Sequence, residues 1–385
     1  RELSSLGLVA RTRQINASAF IYLILADYPQ LRVEGMLDRF EETLPYQRFF
    51  AHDYIALKRE NAGLNPGQEQ VIASILDSSG ADAPGLDGPS RLFGEAFDLE
   101  ETYPLPDGDT IYLYQQRYYL PRDYPVEYLA KLAANLTAQT RPGDAILLYP
   151  AELVGPFMAE LDGPAGVYLA PATEKELAAI AAVHDRLFVV VGDAQAFAVA
   201  GAGSGEVRDQ AIDWLSRHAF HAGHEWADSL QVVTYRLTTD LPATAPTVEM
   251  GALLGEQVVL VGFDLPDRSW WPGEILPLTL FWQTAESVEA DYDVFAHLLD
   301  GSGQLVTQSD GPPMGGYQPT SSWQPGELIE DRRGVRIPDA LPAGEYELRV
   351  GMYSAETGER LPVQDVNGAL LGDSLSMGVI VVESP

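Results

Sequence analysis

The most legible pattern of apolar and polar positions lies late in the chain, in DYDVFAHLLDGSGQLVTQSDGPPMGGYQPTSSWQPGE, residues 291–327. Apolar and polar residues alternate from Asp291 to Leu299, a turn follows at 300–303, and alternation resumes from Gln304 to Ser309. A loop rich in Gly, Pro and aromatic residues then closes on Trp323. The period of two broken by turn residues predicts a β-hairpin followed by a long loop. From Val248 onward the same reading gives strands over 254–264, 274–284, 291–299, 304–310, 328–337, 344–353 and 376–383. Strands at hairpin spacing predict an antiparallel β-sandwich over 247–385.

Upstream the period changes. AFIYLILAD, 19–27, is a continuous apolar run of the kind buried on both faces of a sheet. Val33, Met36, Leu37, Phe40 and Leu44 fall at helical spacing over 31–44, and 48–60 returns to strand. A β-α-β segment therefore occupies 1–62, followed over 63–120 by a Gly/Pro/Asp/Ser linker and a degenerate β segment, strand-like from 91. Over 121–240 a helix from Tyr124 precedes strands 145–151, 166–170, 186–193 and 229–237, with helices 152–161, 173–184 and 207–218 between them. Thr173 with Glu176 three residues on is a capping-box pattern. The expected fold class is thus multidomain, α/β plus all-β: a mostly parallel α/β sheet domain followed by a C-terminal antiparallel β-sandwich. The order of 19–60 is echoed in 186–237, and that of 92–114 in 253–282, which suggests a duplicated unit whose first copy is partial; chance likeness of strand-helix-strand patterns accounts for it equally well.

Composition narrows function more than fold. Asp and Glu number 56 against 24 Lys and Arg, a formal charge of −32, so the mean field repels nucleic-acid phosphates and anionic lipid surfaces. Nucleic acid is not an expected partner. With no cysteine there is no disulfide framework, thiolate metal site or cysteine nucleophile. The chain opens on Arg1 in mid-pattern, as a piece of something longer would.

Candidate chemistry is scattered. His218, His221 and His224, with Glu225, are a zinc-like cluster placed at a helix end, although imidazoles beside an acid also occur on ordinary surfaces. Asp300, Asp310 and Glu327, with Asp331, sit near turns of the predicted sandwich and could supply oxygens to Ca²⁺; solvated turn carboxylates explain them equally well, and no cofactor is expected beyond that possible calcium. Trp270, Trp271 and Tyr317 form a candidate sugar platform, with Trp270 and Trp271 expected at the surface and Trp282 and Trp323 between sheets. In the α/β part, Glu152, Thr173 and Asp193 would flank a ligand crevice at the strand C-termini. The glycines at 201, 203 and 205 lack the tight strand-to-helix turn of a phosphate loop, and no Gly-x-Ser-x-Gly elbow or P-loop lysine is present.

PGEILPLTLFWQTAESVEADYDVFAHLLDGSGQLVTQSDGPPMGGYQPTSSWQPGELIEDRRGVRIPDALPAGEYELRVGMYSAETGERLPV resembles the C-terminal β-sandwich of bacterial, Chloroflexi-type GT-C membrane glycosyltransferases of the dolichyl-phosphate-mannose protein mannosyltransferase-like class. RPGDAILLYPAELVGPFMAEL, VYLAP, HDRLFVVVGDAQ and WLSRHAFHAGHEWADSLQVVTYRL are similar to the α/β part that follows their transmembrane helices, so the resemblance spans about 120–385. It implies an extracytoplasmic, cell-surface region tethered to the membrane, whose partner is the transmembrane portion of the same polypeptide or a membrane protein, with a glycan as possible ligand. Such enzymes carry catalytic carboxylates between transmembrane helices, so no catalytic residue carries over and a non-catalytic role is expected. A structural or adhesive cell-surface protein built of duplicated modules is the alternative.

Overall fold

The computed structural model of the chain describes residues 4–9, 31–35, 49–50, 52–58, 69, 72–73, 75–76, 89–106, 108–118, 126–163, 165–170, 173–192, 211, 213–227, 230–239 and 245–384. Two compact units are drawn from interleaved stretches. The first comprises Arg1–Ala170, Val190–Gly201 and Ala227–Leu230, and the second Pro171–Val189, Ala202–Trp226 and Gln231–Pro385. The fold is β-rich, with several sheets among the described residues.

In the first unit, β1 (Ser4–Val9), β2 (Leu31–Gly35) and β3 (Tyr54–Lys58) are followed by α1 (Pro89–Ala96), β4 (Phe97–Pro104) and β5 (Thr110–Gln116). The strands form one sheet in the order β2-β1-β3-β5-β4. β1 runs parallel to both of its neighbours, whereas β5 is antiparallel to β3 and β4. Leu6, Leu8, Ala56 and Ile111 make a small core on this sheet. A second apolar group is aromatic: Phe93 stacks on Phe97 with ring centroids 4.5 Å apart and meets Phe49 and Tyr114 edge-on. Aromatic pairs prefer these offset and edge geometries because the ring face is negative and its edge positive. The buried Lys58 ammonium lies 3.6 Å from Asp109, which compensates its desolvation.

Two expectations are corrected in this unit. Leu31–Gly35, read as the start of a helix, is a strand paired residue for residue with β1. Tertiary pairing overrides the helical spacing of its apolar residues. The stretch from 91 begins in α1, which buries Leu92, Phe93 and Ala96 before β4 starts. The strand expected at 19–27 lies outside the described residues. Further on, α2 (Val126–Gln139), β6 (Asp144–Tyr149), α3 (Val154–Glu160) and β7 (Gly166–Leu169) match the alternation in the sequence. β6 and β7 pair in parallel, and β6 is buried along almost its whole length, as an uninterrupted apolar run requires.

The second unit contains α4 (Glu174–Val183), and β8 (Arg186–Val191) begins in it. Thr173 caps α4 through the expected box: Glu176 N–H donates to the Thr173 hydroxyl, and the Glu176 carboxylate accepts from Thr173 N–H at 2.6 Å. Next come β9 (Ala219–Ala227), β10 (Leu230–Leu237), β11 (Val248–Leu254), β12 (Val258–Asp264), β13 (Ile275–Thr284), β14 (Tyr292–Leu299), β15 (Leu305–Gly311), β16 (Ile329–Arg336), β17 (Gly344–Ser354), β18 (Val363–Gln364), β19 (Leu370–Gly372) and β20 (Leu375–Val382).

One sheet holds β19-β18-β11-β12-β13-β16-β9-β10 in that order, and a four-stranded sheet holds β15-β14-β17-β20. The two enclose a shared core that includes Leu260, Leu278 and Trp282 from the first sheet and Val294, Leu298, Leu348 and Val350 from the second. Alternation fixes which face is inward: on β14 Val294, Ala296 and Leu298 enter the core, so Asp293, Phe295 and His297 belong to the opposite face. The sequence called for a self-contained, mostly parallel α/β sheet over 121–240, and this is not what forms. β9 and β10 sit in the sheet of the C-terminal strands, where β9 runs parallel to β16 at His221 and Arg333. Among the described residues no helix is long and apolar enough to cross a membrane.

Candidate functional site

The site is built around the end of β15 and the loop that leaves it. Asp331 and Arg333 project from β16 and are both buried, with the guanidinium Nε 2.6 Å from the carboxylate. A buried charge pair is stable only when its remaining hydrogen-bonding capacity is used. Here Arg333 also donates to the carbonyls of Gly311 at 2.9 Å, Pro312 at 3.1 Å and Val294 at 3.3 Å, and the other Asp331 oxygen accepts from Met314 N–H at 2.7 Å. β16 is thereby tied to β14 and β15 of the facing sheet. The loop bound by this pair adopts left-handed backbone at Met314 (φ 52°, ψ 34°), Gly315 and Gly316. For a residue with a Cβ this conformation costs of order 1–3 kcal/mol and persists only where its surroundings enforce it; the hydrogen bond to Asp331 is the enforcing contact.

Beneath the loop lies His221, whose imidazole meets the Tyr235 ring edge-on at 5.6 Å. A Cβ at Gly315 would sit 3.8 Å from that imidazole. Burial, then the neighbouring Arg333 guanidinium and the His224 ring, push the His221 pKa down to about 4, so the His221 ring is neutral at pH 7. Tyr235, also buried, is pushed up to about 12.

On the outer face of the four-stranded sheet the end of β15 contributes to a second arrangement. Phe295 is 1% exposed although its side chain points away from the shared core. It is covered by polar groups: the Arg360 guanidinium lies 4.4 Å from the ring centroid, His297 packs at 4.6 Å, and Tyr353 at 6.5 Å. Below the ring is Gly351, where a Cβ would come within 2.4 Å of Phe295 Cζ. Each covering group is held by a neighbour. His297 Nε2 lies 3.2 Å from Asp310, Arg360 reaches Asp373 at 3.3 Å, and Tyr353 sits directly across the strand pair from Asp293. Burial, then the negative Asp293, raise the Tyr353 pKa to about 12, which keeps its hydroxyl a donor throughout the physiological range. Alongside, Arg349 donates to Glu347 at 2.9 Å and to Ser374 Oγ at 3.0 Å. An aromatic ring edged by fixed donors and acceptors can bind a molecule with one apolar face and hydroxyls round its rim.

The residues singled out in the sequence are dispersed. Asp300 closes the β14–β15 turn, accepting from Ser302 N–H, Ser302 Oγ–H and Gln304 N–H, and these bonds lower its pKa. Asp310 faces His297, and Glu327 accepts from Gln324 N–H at 3.1 Å. His218 stacks on Trp214 with its Nδ1 2.9 Å from the Trp214 carbonyl oxygen. His221 and His224 lie on strand β9, not at a frayed helix end, with ring centroids 6.4 Å apart. Among the described residues no three His, Asp or Glu side chains converge to hold a metal ion. Trp270, expected at the surface, is fully buried: it forms a bridge to Val382, and Arg268 covers its ring at 3.5 Å. Trp271 and Tyr317 are exposed, and Trp282 and Trp323 are core, as expected. In the first unit Glu152 is half-buried and acts electrostatically on Tyr118, whose pKa is raised, first by burial. Thr173 is occupied as the cap of α4, and Asp193 lies outside the described residues.

Sequence reasoning missed Phe295, Tyr353, Arg349 and Arg360. A usable signal was present in β14, where an aromatic residue falls on the polar side of an otherwise regular alternation.

No protein-family profile matches the chain, and no curated protein matches it. Among solved structures the chain is similar to the C-terminal domain of Wzt (11% identity, 37% of this chain and 84% of that one, TM-score 0.27). It is also similar to a Niemann-Pick type C2 protein from the Japanese carpenter ant (8% identity, 37% and 99%, TM-score 0.21). A third is an endonuclease/exonuclease/phosphatase from Beutenbergia cavernae (12% identity, 87% and 95%, TM-score 0.18). Likenesses at these TM-scores carry no argument about fold or function.

Proposed function

We propose that this chain is a non-catalytic, glycan-binding region, and that the outer face of β15-β14-β17-β20 is its binding surface. The observation that carries the reading is Phe295: an aromatic ring turned away from the core, flanked by His297 paired with Asp310, by Tyr353 and by Arg349 held on Glu347 and Ser374, and covered by Arg360. Prepositioned polar groups round an apolar ring suit a sugar, whose C–H face stacks while its hydroxyls replace water. The sequence resemblance to GT-C glycosyltransferases supports an extracytoplasmic setting in which the chain is tethered to a transmembrane portion and presents this face to an acceptor glycan.

Titration of the chain with a panel of neutral and charged oligosaccharides, followed by amide chemical shifts, tests the reading. Shifts should cluster on β14 and β17, and Tyr353→Phe together with Arg349→Gln should weaken binding about tenfold, the loss of two hydrogen bonds at a prepositioned site. Binding that is unaffected by both substitutions, or no binding to any glycan, overturns it.

A further inference from the structure

The cover over Phe295 has a distinctive composition. Its central element is a cation, the Arg360 guanidinium, 4.4 Å from the ring centroid, and among the described residues it is held there by the ring and by Asp373 at 3.3 Å. The side chains of Arg360 and Asp373 are 41% and 54% exposed, so solvent screens their attraction and the pair opens at little cost. Its backbone is better anchored, because residue 360 bridges Tyr353 and the flanking Leu361 N–H donates to Met352 O at 2.8 Å. The side chain is thus free to swing away while the strand beneath stays in place. Arg349, the other arginine on this face, is committed to Glu347 and Ser374.

We propose that the Arg360 guanidinium is a built-in stand-in for the cationic group of the ligand, and that this face selects amino sugars, displacing Arg360 from the Phe295 ring when they bind. The inference rests on the glycan-binding reading and specifies its ligand class. A cation over an aromatic face is attracted by the ring quadrupole, and the attraction grows as the site is desolvated. An ammonium group replacing Arg360 meets the same ring with the carboxylate of Asp373 at its edge. Charge balance points the same way: among the described residues Glu347 pairs with Arg349, Asp373 with Arg360 and Asp310 with His297, and displacing Arg360 leaves the face more negative. A lysine or arginine of a partner protein would satisfy the ring and the acids alone. The Tyr353 hydroxyl and the Arg349 guanidinium are donors as well, and the hydroxyls of a sugar use them while a basic side chain does not.

The experiment compares D-glucosamine, D-glucose and Nα-acetyl-lysine amide by calorimetric and chemical-shift titration at low ionic strength, on the wild-type chain, Arg360→Gln and Phe295→Leu. Glucosamine should bind the wild type more tightly than glucose. Arg360→Gln, which removes the internal competitor and one positive charge, should tighten both sugars, glucosamine by about fivefold and more than glucose, and Phe295→Leu should abolish the preference while retaining the bulk of the core. Because Arg360 is largely exposed, Arg360→Gln keeps the test readable even if Phe295→Leu is unstable. Equal binding of glucose and glucosamine by both wild type and Arg360→Gln overturns the amino-sugar inference and leaves the glycan reading standing. Tighter binding of the lysine amide than of glucosamine also overturns it and assigns the face to a basic protein segment. Failure of both sugars to bind either protein overturns the amino-sugar inference, and the glycan reading falls with it only if the oligosaccharide panel also fails to bind.

Discussion

Replacing Asp331 by Asn leaves an oxygen able to accept from Met314 N–H but removes the negative charge that balances Arg333, which is 5% exposed. Deleting one member of a buried pair costs about 3–5 kcal/mol, because the surviving charge stays desolvated. Arg333 keeps three backbone carbonyl partners, and these offset part of the loss, so about 3 kcal/mol is expected. Trp270, Trp282 and Trp323 are all buried in the same unit, which makes tryptophan fluorescence in urea a direct readout. With a slope of about 1–3 kcal/mol per molar urea, the midpoint should fall by about 1–3 M. Arg333→Met alone should also destabilise. The double variant should be milder than the sum of the two, since no uncompensated charge is left inside. A midpoint change for Asp331→Asn below about 0.3 M, or strictly additive single substitutions, would refute the claim that this pair holds the loop and ties the two sheets.

Gly351→Ala places a methyl group 2.4 Å from Phe295 Cζ and 2.8 Å from the carbonyl oxygen of Asp373, so the ring must leave its seat; a loss of about 1–3 kcal/mol in urea and loss of the Phe295–Tyr353 ring-current shifts are expected. His221 ionises at about 4 in the folded chain against an ordinary value near 6.5, so below pH 6.5 the unfolded chain takes up the proton and the folded chain does not. Stability contributed by the neutral ring is therefore complete above pH 6.5 and lost as the pH falls toward 4. The difference in unfolding free energy between wild type and His221→Gln should change by about 2–3 kcal/mol over that window, as read from urea curves at each pH. Thr173→Ala removes the hydroxyl that accepts from Glu176 N–H, while the backbone N–H of residue 173 can still donate to the Glu176 carboxylate; the loss should cost about 1 kcal/mol, visible as faster amide exchange in the first turn of α4, with Thr173→Ser restoring protection.

The parts of this fold that can be read from sequence are those where local pattern and tertiary partner agree. The alternation from Ile275 to Ser354 correctly separates Val294, Ala296 and Leu298 from their outward neighbours, and Thr173 with Glu176 marks the start of α4 to the residue. Where the partner decides, sequence misleads. AFHAGHEWA has no clean period of two, yet it is strand β9 because β16 offers it a parallel edge at Arg333. LRVEG sits within a helical spacing and is nevertheless strand β2, since β1 pairs along its length. Trp270 lies between Arg268, Ser269 and Trp271 in a stretch that reads as an exposed loop, but its backbone docks on Val381 and Glu383 and its ring is covered by Arg268.

The candidate site was legible to a smaller degree, for a related reason. Asp310 and Asp331 stand out in sequence only as two carboxylates near turns, and a calcium shell is the natural chemistry to assign to acids in such places. Their partners lie elsewhere in the chain: His297 thirteen residues before Asp310, and Met314 seventeen residues before Asp331. Once paired, one carboxylate orients an imidazole over Phe295 and the other secures the backbone of a strained loop, and the negative charge of each is spoken for by protein groups. In the proposed reading the same acids therefore shape a surface for a glycan without themselves being its ligating atoms. Phe295 is the residue through which that distinction can be recognised, since an aromatic side chain on the polar face of β14 has no use in the shared core. It is buried there only because Gly351 leaves room beneath it and Arg360 closes over it.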